Sequence, residues 1–195
     1  MRAAIAGAGL ALMLAAPAAA DFEAGVIAVQ REQFDTARQE FLAARAAGDA
    51  RGTFMLGVMA EQGWGAPADD AAAAEWYRLA GEAGLASAQF NLGILYQFGR
   101  GVAEDPAEAA RWFAKAADQG HARAMNNLGS MYDTGSGVPQ DRVEALKWFT
   151  LAADRLQGDD LVVIHDNMLR VENRLSAAEI TEAKSRTEAW KKAHP

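Results

Sequence analysis

Ser87-Ala88-Gln89-Phe90-Asn91-Leu92-Gly93, followed by Tyr96, Gly99-Arg100-Gly101, Asp105-Pro106, Ala109 and Trp112-Phe113, decides the fold, because the same pattern recurs 36 residues earlier and 36 residues later. The earlier copy runs Leu56-Gly57, Gly63-Trp64-Gly65, Asp69, Ala73 and Trp76-Tyr77. The later one runs Leu128-Gly129, Gly135-Ser136-Gly137, Asp141, Ala145 and Trp148-Phe149. Self-similarity at a fixed period of this size is the mark of stacked structural repeats.

Each unit reads as two helices joined by a turn. In the middle copy Ala88, Leu92, Leu95 and Tyr96 recur at three- and four-residue spacing, one face of a helix. The Gly99-Arg100-Gly101 turn stops that helix, since glycine accepts the left-handed conformation at a helix C-terminus. Asp105-Pro106 starts the next one, with Asp capping free amides and Pro at the first helical position. Ala109, Trp112, Phe113 and Ala116 form its buried face, and Gly120 ends it. A glycine inside a helix, such as Gly93, costs about 1 kcal/mol against alanine, so close approach of a neighbouring chain is the expected reason for it.

This pattern, with Gly120-His121-Ala122 at the unit boundary, resembles the Sel1-like repeat, a relative of the tetratricopeptide repeat. The resemblance implies an all-α chain: an α/α superhelix, or solenoid, of about ten helices in five antiparallel pairs, with no strand. The first copy departs from the pattern, with Ala60 where the others have Tyr and Ala66-Pro67 where they have Val. The third departs at its end, where Leu156 replaces the terminal glycine and Gly158 follows late. The units expected are 49–84, 85–120 and 121–158. Residues 21–48 read as an N-terminal tetratricopeptide-like capping pair, on Gly25, Ala37, Phe41 and Ala44. Residues 159–195 read as C-terminal capping helices. There Leu161, Ile164, Met168, Val171 and Leu175 form an apolar stripe, and Ser176-Ala177-Ala178-Glu179 spells a capping box.

Residues 1–20 read as a secretory signal peptide. Arg2 precedes a charge-free run from Ala3 to Ala16, and Ala18-Ala19-Ala20 makes a small-residue cleavage site after Ala20. A periplasmic or secreted protein is therefore expected, without membrane insertion once the peptide is removed. No cysteine occurs in the chain, which excludes thiol catalysis and cysteine-bound zinc. The 19 Lys and Arg, against 26 Asp and Glu, give a net charge of −7, more negative by one when Arg2 is cleaved. That balance argues against nucleic acid as a partner.

Short strings that resemble active sites have structural explanations. Asp133-Thr134-Gly135 lacks the second carboxylate of an aspartic protease and falls where Glu61 and Gln97 end their helices. The Gly-x-Gly turns lack the third glycine of a dinucleotide site. His121, His165 and His194 have no partners at metal-ligand spacing. No catalytic residue, metal or cofactor is expected. Trp64 differs: lying within a turn where the other copies have Arg100 and Ser136, it is a candidate loop contact.

If the geometry follows the tetratricopeptide fold, the first helix of each unit lines a concave face. The inward positions are then Phe54, Val58 and Glu61, Phe90, Ile94 and Gln97, and Asn126, Ser130 and Asp133, with Met55, Asn91 and Asn127 beside them. An apolar strip grading into an Asn-rich end suits an extended peptide or a helix. The family resemblance implies a scaffold or regulator, here a monomer in the bacterial cell envelope that binds a protein partner. The alternatives are an envelope hydrolase, β-lactamase-like or acting on peptidoglycan, and a chaperone-like holder of exported chains. Cysteine-rich relatives carry the hydrolase assignment, and this chain lacks their cysteines.

Overall fold

The computed structural model describes residues 22–194, so the expected signal peptide lies outside the described residues. Among these residues are ten α-helices and no strand. They are α1 (Phe22–Gln30), α2 (Phe34–Ala46), α3 (Ala50–Gln62), α4 (Asp70–Glu82), α5 (Ala86–Phe98), α6 (Pro106–Asp118), α7 (Ala122–Thr134), α8 (Arg142–Ala153), α9 (Asp159–Glu172) and α10 (Ala177–Ala193). The first eight pack as four successive hairpins, each second helix also packing on the first helix of the next unit. The result is a solenoid.

Residues chosen for turn chemistry set the helix ends. Gly63, Gly99 and Gly135 adopt left-handed φ of 70°, 64° and 77° and close α3, α5 and α7. The Asp69, Asp105 and Asp141 carboxylates accept from the amides of Ala72, Glu108 and Glu144, capping α4, α6 and α8. The amide of each capping Asp donates back across the turn, to the carbonyls of Ala60, Tyr96 and Tyr132 at 2.9–3.0 Å. All three turns therefore share one backbone frame.

The helix pairs are held by an aromatic ring laid on a bare backbone. A Cβ added at Gly57 would lie 2.7 Å from the Tyr77 ring, one at Gly93 2.6 Å from Phe113, and one at Gly129 2.9 Å from Phe149. Each ring is fully buried. Gly25 meets Phe41 in the same way at 2.5 Å, so the N-terminal pair repeats the contact on a shorter turn.

A second set of glycines joins one unit to the next. A Cβ at Gly101 would stand 2.2 Å from the Asp70 backbone, and one at Gly137 2.2 Å from Pro106. Each turn thus rests on the N-terminus of the second helix in the preceding unit, closer than any side chain allows.

The last two helices break the pattern. Both α9 and α10 pack on α8, and they share little surface with each other, so the fifth expected pair is not a hairpin like the rest. The reason is local: α9 has no glycine and α10 has no aromatic pair to seat on one. Instead Ala183, Thr187 and Trp190 are buried, with Trp190 edge-on to Trp148 of α8 at 6.1 Å. The Ser176–Glu179 capping box forms. Of the α9 stripe, Ile164 and Val171 are fully buried.

Alanine is the better helix former, yet Gly93→Ala places a methyl against the Phe113 ring. Overpacking should lower stability by about 1–3 kcal/mol. Urea unfolding followed by far-UV circular dichroism measures this, and an unchanged midpoint would remove close approach as the reason for the glycine.

Candidate functional site

First helices do come together around a groove. Phe90 from α5, Arg123, Asn126 and Asn127 from α7, and Asp160, Val163 and Ile164 from α9 enclose about 170 Å³ with Leu156. α9 is tied to α7 here, as Asn167 Nδ2 donates to Asn126 Oδ1 at 3.1 Å. Arg123 pairs with Asp160 at 3.0 Å, an exposed bridge of little energetic weight. Val163 is 55% exposed, and Val162 and Leu169 on the same helix are 61% and 57% exposed.

Of the residues expected on the concave face, only Phe90, Asn126 and Asn127 line this groove. Phe90 is held by ring contacts, 5.8 Å to Phe113 and 4.7 Å to His121. Asn127 forms no side-chain hydrogen bond to any described residue. Ser130 Oγ donates to the Asn126 carbonyl at 3.1 Å. Phe54 and Val58 are half-buried against the cluster of Tyr77, Leu92 and Leu95, with the Phe54 and Tyr77 rings 5.6 Å apart. Ile94 packs on the core of the third unit.

The polar residues at the ends of these helices serve the fold. Glu61 Oε2 accepts from the Tyr77 hydroxyl at 2.6 Å and Glu61 Oε1 pairs with Arg100 at 3.1 Å. Burial, and then the Glu61 carboxylate, keep the Tyr77 phenol protonated well above its usual range; a hydrogen bond from Asn91 opposes the shift. Asp133 corrects the expectation more sharply. It is 3% exposed, facing Arg142 at 3.5 Å, Arg170 at 3.4 Å and Arg174 at 3.6 Å, so it offers nothing to a ligand. The C-terminal helices cover that end of α7. Gln97 holds the same place in the middle unit, and its buried Oε1 finds no partner among the described residues.

Trp64 is likewise not a free loop aromatic. It stacks on Phe34 at the start of α2, ring centroids 6.1 Å apart and 13° from parallel. Arg100, at the equivalent place one unit later, binds Asp70 at the start of α4 at 2.9 Å. Both residues clasp their turn to the unit before.

Sequence reasoning missed Arg123, Asp160 and Val163. Arg123 stands at a variable repeat position, and α9 lacks the repeat pattern that would have placed it. Among the described residues no group of three or more His, Asp or Glu could hold a metal ion, and no helix is long and apolar enough to cross a membrane.

The sequence pattern of the Sel1 repeat matches residues 50–85, 86–121 and 122–155. No curated protein matches the chain. Among solved structures, it is similar to a protective antigen of uropathogenic Escherichia coli that displays an SLR fold. That match has a TM-score of 0.69 and 31% identity over 80% of this chain and 32% of that one. A Sel1 repeat protein from Oxalobacter formigenes matches with a TM-score of 0.68 and 30% identity, over 75% of this chain and 61% of that one. Cysteine rich protein B of Helicobacter pylori shares the fold, with a TM-score of 0.50 and 22% identity over 73% of this chain and 96% of that one. The chain therefore spans about a third of the first protein and under two thirds of the second.

His121 next to the groove is pH-sensitive. Burial, then the Arg123 cation, hold its imidazole below the ordinary value of 6.5. Its Nδ1 accepts from the Ala124 amide at 3.2 Å, which needs a free lone pair. As pH falls below 6.5 the unfolded chain takes up this proton before the folded chain does, so stability declines from there down to the folded-state value. Above it there is no loss. His121→Asn keeps a capping acceptor and should show a smaller fall in Tm between about pH 7.5 and 5 than wild type. Equal falls would show that His121 is not the group responsible.

Proposed function

The chain belongs to the Sel1 repeat family, and from that premise we propose that it is a non-enzymatic scaffold or regulator of the bacterial cell envelope, holding a protein partner along its first helices. The observation that carries this reading is the groove between α5, α7 and α9. It combines the Phe90 ring, the Val163 side chain and the amides of Asn126 and Asn127. Apolar contacts supply affinity there, while amides can pair with the backbone of an extended segment. Repeat proteins of this kind use such extended surfaces because each unit adds contact area without a new core. The envelope location rests on Arg2, the apolar run Ala3–Ala16 and Ala18-Ala19-Ala20.

Phe90 also packs on Phe113 and His121, so its loss affects folding and binding together. Asn127 is the cleaner probe. Capture of proteins from the native envelope by immobilised wild type, Asn127→Ala and Phe90→Ala, read by mass spectrometry, tests the surface. Both variants should lose the wild-type partner, with Asn127→Ala keeping its Tm. An unchanged set of captured proteins would place the binding surface elsewhere.

A further inference from the structure

Beyond the groove, the seam between α7 and α9 carries a charge cluster that the fold leaves unbalanced. Contacts follow the same order along both elements: Arg123 pairs with Asp160, Asn126 with Asn167, and Asp133 with Arg170 and Arg174. The two helices therefore run side by side in one direction. Asp133 stands seven residues beyond Asn126 on α7, about 10 Å along the axis at 1.5 Å per residue.

At that end Arg142, the first residue of α8, joins Arg170 and Arg174 around the one carboxylate of Asp133, an excess of two positive charges. None of the three has a second carboxylate partner among the described residues. The single hydrogen bond is from Arg170 Nε to Asp133 Oδ2 at 3.4 Å, and Arg142 Nε is buried without an acceptor. A guanidinium carries five N–H donors, so most of this set is unused. The three side chains are 34%, 46% and 50% exposed, which leaves them within reach of a ligand while Asp133 itself is buried. The end of α3 has the opposite balance, since Glu61 and Asp70 share the one cation Arg100. On a chain of net charge −7, the end of α7 is thus a local place where an anion is attracted.

We propose that the arginine cluster and the groove form one surface for an extended segment of the protein partner. An apolar residue of that segment sits against Phe90 and Val163, and an aspartate or glutamate about three residues away, at about 3.3 Å per residue, meets the arginines. The inference rests on the protein-binding reading of the groove and adds the acidic requirement. The apolar contact supplies affinity, and the charge fixes which segment is accepted and in what register.

The probes are the acetylated, amidated peptides Phe-Ala-Ala-Glu and Glu-Ala-Ala-Phe, each beside its counterpart with Gln for Glu, titrated into the full chain and followed by NMR. One acidic peptide should shift the Asn127 side-chain amide and the arginine Nε–H signals together and saturably. It should bind about fivefold tighter than its Gln counterpart, the weight of one half-exposed ion pair. Raising the salt to about 0.5 M should erase that preference, and so should Arg170→Gln combined with Arg174→Gln. The wild-type titrations decide the matter if the double variant folds poorly. Equal binding of the Glu and Gln peptides at Asn127 would overturn the acidic requirement and leave the groove standing. Shifts at the arginines with Asn127 unmoved would overturn the joint surface, as would inorganic phosphate binding the arginines as tightly as the acidic peptide. No saturable shift with any peptide at millimolar concentration would overturn both this inference and the groove.

Discussion

A ring pressed against a backbone that has no Cβ is the contact on which this molecule depends. Gly57, Gly93 and Gly129 let Tyr77, Phe113 and Phe149 approach to distances that alanine forbids. That approach sets the spacing of the two helices in a unit, and the spacing decides where the turn can meet the unit before it. Burial of the ring supplies the energy, since a large aromatic side chain removed from water contributes about 1.5–3 kcal/mol. The glycine alone would weaken its helix. Only the pair makes sense.

A second layer of contacts turns four hairpins into one body. Gly101 and Gly137 bring each turn onto the preceding unit, and in the first two turns the residue between the turn glycines completes the join. It does so by different chemistry each time: Trp64 stacks on Phe34, and Arg100 binds Asp70 and Glu61. The position varies in sequence because its requirement is set by a neighbour 30 residues away, and not by the turn.

This explains what could be read from the sequence and what could not. The helix boundaries were legible because caps and turn glycines act within a few residues, and their chemistry is local. So was the Ser176–Glu179 capping box. The reason for Gly93 was legible as a requirement for close approach, though not the identity of Phe113 as its partner. Trp64 and Asp133 were misread as available because Phe34 comes from another unit, and Arg170 and Arg174 from the C-terminal segment. The placement of α9 and α10 on α8 was hidden for a related reason. Amphipathic spacing says which face of a helix is buried, and leaves open which neighbour buries it.

The bridge from Arg100 to Glu61 has a consequence for how such an array can evolve. In the next unit the corresponding pair is Ser136 and Gln97, both uncharged, while the third unit returns to a carboxylate, Asp133, met by arginines of the tail. Glu61 and Asp133 therefore each meet a cation of their own, while the Gln97 Oε1 between them has no partner among the described residues. Excision of the middle unit by recombination would set Ser136 against Glu61 and remove the cation that Glu61 and Asp70 share. Units that look interchangeable by their glycines and tryptophans thus differ at their seams, where the same turn meets a different neighbour in each copy.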